Sequence, residues 1–227
     1  MRNDGRANDE TRKIKFTVDY TKNALASVLA EFGDTKVIVT ATNDDKKPKW
    51  MDKEDSRGWI TAEYSLLPTS TSTRCQRERS KVSGRTQEIQ RLIGRALRSC
   101  VDLTKLGDRT IIIDADVIQA DGGTRCASIC GGYVALSLAI NRMIKDGKLE
   151  ESPILEPIAA VSAGIHDGEV ILDLNYEEDS SAQVDSNAVM TKSGKVIEFQ
   201  TTAEGDPYDI EKMNQIVELS KNANTEA

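Results

Sequence analysis

Residues 110–145, TIIIDADVIQADGGTRCASICGGYVALSLAINRMIK, decide the fold. Residues 110–118 alternate and are rich in Ile and Val, which predicts a strand with Asp114 and Asp116 on one face. The chain then turns through residues 119–123. From Thr124 to about Lys145 it is small and apolar enough (Ala127, Ile129, Val134, Leu138) for a helix buried on most sides, and Gly147 stops it. Strand, glycine turn and buried helix in succession point to an α/β architecture. The turn itself, Asp121-Gly-Gly-Thr-Arg125, has the makings of an anion site. Glycines let a ligand approach the backbone, and amides at a helix start attract negative charge. Thr124 adds a hydroxyl and Arg125 a fork that matches phosphate oxygens. A purely conformational role for the glycines remains open on this ground alone.

On the N-terminal side, residues 24–32 and 35–42 read as strands joined by the Gly33-Asp34 turn. A charged stretch, 43–57, reads as a solvated loop before a strand at 58–64. After Pro68, a Ser/Thr run at 69–73 leads into an exposed basic loop. From Arg85 the spacing of Ile89, Leu92, Ile93, Ala96, Leu97 and Val101 is helical, with Arg91, Arg95 and Arg98 on the opposite face. That arginine stripe fits a wet helix face, a subunit contact or RNA contact. Gly84-Arg85-Thr86 opens this helix, so a second arginine and hydroxyl stand at a positive dipole end.

On the C-terminal side, strands are predicted at 158–165 and 169–174, linked by His166-Asp167-Gly168 in an exposed turn. An acidic loop follows at 176–185, then a hairpin around Ser193-Gly194, and a last helix from Pro207. Asp179 and Asp185 in the acidic loop suit Mg²⁺ or Mn²⁺, bound by carboxylates, water and substrate phosphate. A solvated acidic loop is the competing reading, and Glu177 and Glu178 read as bystanders there. With no linker and no repeat, residues 1–227 read as one domain of the α+β kind, mixed sheets with packed helices, about nine short strands and three main helices.

Composition narrows the chemistry. The 227 residues carry a net charge of -7, which on average argues against a nucleic-acid partner. The average conceals a split: residues 74–98 hold eight basic and two acidic side chains, whereas residues 166–227 hold fourteen acidic and four basic. His166 is the single histidine, so two-histidine ribonuclease chemistry and His-rich zinc sites are excluded. The four cysteines form no CxxC pair and read as reduced thiols. The pattern GxxxxGK[ST] is absent, which leaves no support for a nucleoside triphosphatase. No uninterrupted apolar run approaches the ~18 residues of a membrane span, and the polar start lacks a secretory signal, so a cytoplasmic location and no membrane partner are expected.

Five segments together resemble the ribonuclease PH family, in order and nearly end to end: Glu31-Phe-Gly-Asp-Thr-Lys36, Gly58-Trp-Ile-Thr-Ala-Glu-Tyr64, Gly84-Arg-Thr-Gln-Glu-Ile-Gln-Arg91, Val117-Ile-Gln-Ala-Asp-Gly-Gly-Thr-Arg125 and Glu178-Asp-Ser180. The resemblance implies the fold of ribosomal protein S5 domain 2. It also implies a phosphate-dependent 3′-to-5′ exoribonuclease that trims tRNA precursors, releases nucleoside 5′-diphosphates and runs in reverse. Carried over residue by residue, Arg85, Gly123, Thr124 and Arg125 would bind inorganic phosphate. Asp179 and Asp185 would hold Mg²⁺ (or Mn²⁺) and do acid/base work, and Arg74 and Arg77 would contact RNA. Thr69 departs from the arginine common after Leu-Pro in the family. A homohexamer, a trimer of dimers, is implied as the assembly. An exosome-type ring subunit and a catalytically silent RNA-binding ring component are the alternatives.

Overall fold

The computed structural model describes residues 2–52 and 54–226. Its first sheet is built from β1 (Ile14–Val18), β2 (Ala26–Phe32), β3 (Thr35–Asp44), β4 (Trp59–Leu66) and β5 (Thr110–Gln119), in the order β1-β2-β3-β5-β4. All pairings are antiparallel except β4 with β5, which are parallel and joined through α1 (Gly84–Ser99). A parallel pair needs such a crossover, and the amphipathic pattern from Arg85 supplies the helix.

The 22-residue helix α2 (Thr124–Lys145) has the bounds its composition predicts. It is long and apolar enough to cross a membrane by length and composition, yet it packs on β2, β3, β5, α1 and the second sheet. That sheet comprises β6 (Ile158–His166), β7 (Glu169–Leu172), β8 (Val184–Thr191) and β9 (Val196–Ala203), ordered β7-β6-β8-β9 and antiparallel throughout. The short α3 (Tyr176–Ser180) and the terminal α4 (Ile210–Glu226) complete the chain. One buried cluster runs from Val28 and Val39 of the first sheet through Ile129 and Ile140 of α2 to Ile158, Ala160 and Val189 of the second. The α+β reading with mixed sheets, nine strands and three main helices therefore holds among the described residues.

Several local expectations are corrected. β1 was not foreseen; its alternation is short and lies at a sheet edge. β2 begins at Ala26, two residues late, and β4 runs on to Leu66. β7 stops at Leu172 because Asp173 adopts a left-handed φ of 50°. The acidic segment is not simply a loop: Asn175 and Glu178 form a capping box that starts α3, and Asp185 already lies in β8. α4 starts at Ile210, three residues beyond Pro207. His166 is the half-buried end of β6, with Nε2 3.2 Å from Ser181 Oγ, and Asp167 and Gly168 alone make the turn. The arginine stripe of α1 is not uniformly wet: Arg98 donates to the Ile60 carbonyl (2.8 Å) and lies over the Trp59 ring, while Arg95 pairs with Glu198 of β9.

Candidate active site

Four elements meet at one polar cavity of about 570 Å³. Arg85 comes from the first turn of α1, and the Gly122-Gly123 turn with Thr124 and Arg125 comes from the start of α2. Asp179 comes from α3 and Asp185 from β8. The structure thus brings together Arg85, Gly123, Thr124, Arg125, Asp179 and Asp185. Arg74 and Arg77 do not line the cavity. They are exposed on the loop whose residues Thr71 to Thr73 form part of its wall.

The turn is glycine for two reasons that geometry makes explicit. Gly122 and Gly123 have φ of 72° and 64°, in the left-handed region. A Cβ at Gly122 would also stand 2.4 Å from the Leu174 carbonyl oxygen. Gly123 is the N-cap of α2 and offers no side chain, so the first-turn amides have no side-chain acceptor and remain available to an anion. At the start of α1, by contrast, Ser83 Oγ accepts from the Thr86 amide (3.2 Å), so that end is partly satisfied from within.

The carboxylates are the electrostatic counterweight. Burial raises the Asp179 carboxyl above the ordinary aspartate range and the neighbouring Asp185 charge adds to this, while Arg125, Arg85 and Arg12 oppose it. Asp185 is likewise raised, first by burial, against the pull of Arg125. Among the described residues, no three His, Cys, Asp or Glu side chains gather into a metal cluster. Two half-buried carboxylates whose charges disfavour each other beside an open cavity still fit a hard cation that keeps most of its water, the habit of Mg²⁺.

Sequence reasoning missed several contributors. Tyr64 of β4 is buried, its hydroxyl 2.9 Å from Thr124 Oγ1, and burial raises its phenol. Glu178, read as a bystander, is buried and ion-paired with Arg2 at 2.7 Å. Arg12 holds Asp173 through Nε and Nη2 (3.0 and 2.7 Å) and also donates to the carbonyls of Asp121 and Gly122. The carboxylate partners of Arg2 and Arg12 lie more than 100 residues along the chain, so no local pattern announces them. The thiols take no part: all four cysteines are free, and burial pushes Cys130 up to about 11 and Cys100 to about 12.

Comparison with known proteins shows the family. The 3′ exoribonuclease family, domain 1, matches residues 10–140, and domain 2 of the same family matches residues 156–223. A protein of Crocosphaera subtropica named ribonuclease PH is 50% identical over 221 residues, 97% of this chain and 92% of that one. Among solved structures, an Archaeoglobus fulgidus exosome with RNA bound to its active site superposes with a TM-score of 0.83 at 24% identity, covering 99% of this chain and 90% of that one. Rice (Oryza sativa) Rrp46 gives 0.80 at 21% identity, with 99% and 95% covered. At those identities the two structures speak to the fold.

Proposed function

Since this chain belongs to the 3′ exoribonuclease family, we infer that its phosphorolytic chemistry runs in the cavity shared by Arg85, Arg125, Asp179 and Asp185. Likeness to a ribonuclease PH along nearly the whole chain makes it a phosphate-dependent 3′-to-5′ exoribonuclease. The single observation that carries the site is the convergence of two arginine-bearing helix starts and two raised carboxyls on one cavity.

In the proposed arrangement the amides at the start of α2, the Thr124 hydroxyl and the two guanidinium groups hold inorganic phosphate. This fixes its attacking oxygen in line with the last phosphodiester, the proximity effect, and compensates charge that builds on the phosphoryl oxygens. A bond forms between a phosphate oxygen and the terminal phosphorus, and the bond to the preceding 3′ oxygen breaks. Asp185, in the cavity wall, is placed to pass a proton to that departing oxygen. Asp179 and Asp185 would hold Mg²⁺ or Mn²⁺, which supplies further neutralisation of phosphoryl charge when bound. The product is a nucleoside 5′-diphosphate, and a diphosphate linkage replacing a phosphodiester leaves the reaction reversible.

We assign the substrate as tRNA precursors with extra 3′ nucleotides and the working assembly as a homohexamer. Arg74 and Arg77 grip the RNA backbone beside the cavity mouth. The deciding experiment incubates the chain with a 3′-extended tRNA and Mg²⁺, with and without phosphate. Nucleoside diphosphates released only when phosphate is present are expected. Nucleoside monophosphates released in phosphate-free buffer would sink phosphorolysis.

A further inference from the structure

The first dozen residues carry three arginines whose side chains run inward rather than into solvent. Arg2 and Arg12 are only 9% and 7% exposed, and their carboxylate partners Glu178 and Asp173 are 3% exposed each. Arg2 engages Glu178 with two parallel bonds (2.8 and 2.7 Å) and donates again to the Asp173 carbonyl (3.0 Å). Arg6 adds a bond to the same carbonyl (3.0 Å) and stands 3.6 Å from Glu178. Arg12 engages Asp173 through two side-chain nitrogens and its own backbone amide, and reaches the carbonyls of Asp121 and Gly122.

Arg12 therefore ties the cavity's glycine turn to Asp173, and Arg2 and Arg6 tie Asp173 to α3. Glu178 precedes Asp179 on α3, and Asp121 and Gly122 form the turn that opens α2. The Asp121 carboxylate also accepts from the Tyr176 amide at the head of α3 (3.1 Å). Asp173, between the two pieces, is held in a left-handed conformation that a non-glycine residue keeps only when its surroundings enforce it. A buried ion-pair network is a poor device for stability alone, because apolar side chains of similar volume do as well or better. Its directional bonds are suited to fixing geometry.

We infer that residues 2–12 are a positioning strap: Arg2 sets the carboxylate-bearing α3, and Arg12 sets the Gly122-Gly123 phosphate turn, so that the two halves of the cavity face each other. This rests on the phosphorolytic reading of the cavity, and it gives each arginine a separate kinetic signature. Arg2 governs kcat through Asp179. Arg12 governs the KM for phosphate through the turn. Neither touches substrate.

The test uses three variants of the full chain. Arg2→Met with Glu178→Gln removes both charges together and leaves neither unpaired, Arg2→Lys keeps charge without the fork, and Arg12→Lys does the same at the turn. Hydrogen exchange of residues 173–182 is expected to quicken about 10-fold in the double variant, and that of residues 120–125 in Arg12→Lys. With activity scaled to the folded fraction, the double variant should lose about 10-fold or more in kcat with phosphate KM little changed. Arg2→Lys should fall between it and the wild type, and Arg12→Lys should raise phosphate KM with a smaller effect on kcat. Manganese binding, followed by the loss of free Mn²⁺ signal in electron paramagnetic resonance, should weaken in the Arg2 variants and persist in Arg12→Lys. Unchanged exchange in these segments overturns the strap, and so do equal losses of kcat and phosphate affinity in all three variants. A wild-type chain that releases nothing from RNA with phosphate overturns the function instead, and the exchange measurement still decides the strap.

Discussion

At Arg125 a permanent cation, a helix start without a side-chain cap and two carboxylates meet within a few residues' reach, so truncation there should separate chemistry from binding. Arg125→Ala should cost about 10²- to 10³-fold in phosphate-dependent turnover, the usual loss when one preorganised anion contact is removed. Initial rates against phosphate concentration measure it, with RNA affinity followed by filter binding. Equal losses in both would contradict the role. Gly122→Ala tests the turn. Its Cβ meets backbone at 2.4 Å and its φ is positive, so about 1–3 kcal/mol of strain is expected, visible as a melting midpoint lower by roughly 3–10 °C. The arginines and glycines of this site were legible because strand, glycine turn and helix start are local chemistry. Tyr64, Glu178 and the strap arginines were not, because a residue's burial depends on partners that only the folded chain supplies.

Elements differ in the same way. α2 was legible at its Thr124 start and approximately at its Lys145 end, since 22 positions of small and apolar side chains leave a strong signal. α3 was read as loop because five residues with three acids in a row carry too little periodicity. Its capping box, the Arg2 partner of Glu178 and the Asp121 carboxylate at its first amide stabilise it. β1 and the left-handed stop at Asp173 were hidden for the related reason that edge strands and side-chain-enforced turns lack a composition of their own. The expected single face for Asp114 and Asp116 on β5 has a consequence. β4 runs parallel with Glu63 opposite Asp114, which gathers three carboxylates on the outer face of the first sheet. Burial raises both aspartates, with Glu63 adding to each, while Arg77 relieves Asp116 and Thr40 donates to Asp114. A carboxyl raised in the folded state binds more protons than the unfolded chain does, so its ionised form costs stability at neutral pH and the cost fades as pH falls through the raised value. Asp114→Asn should therefore raise the melting midpoint at neutral pH by about a degree or two, solvent screening keeping it small. The gain should vanish as the buffer approaches the ordinary aspartate range. A midpoint difference that is independent of pH would refute the electrostatic origin.

Across the whole molecule the charge of -7 divides into a basic segment at 74–98 and an acidic C-terminal portion, and the fold sets the two against one cavity. Arg85 faces Asp179 and Asp185 there, whereas Arg74 and Arg77 stay exposed on the loop at the edge. An acidic protein can hold RNA if the contacts are concentrated, and a concentrated contact leaves a measurable trace in salt. Each backbone phosphate neutralised on a single strand contributes about 0.7 to the slope of log affinity against log salt. Arg74→Ala with Arg77→Ala should then flatten that slope by roughly 1 to 1.5 and weaken RNA binding, while the phosphate KM, set inside the cavity, stays near its wild-type value. An unchanged slope would remove the loop from the RNA contact and leave Arg91, on the exposed face of α1, as the next cation to test. Size exclusion of the same variant guards the interpretation: its assembly state should match that of the wild type, because a changed assembly could lower the slope without any loss of direct charge contacts.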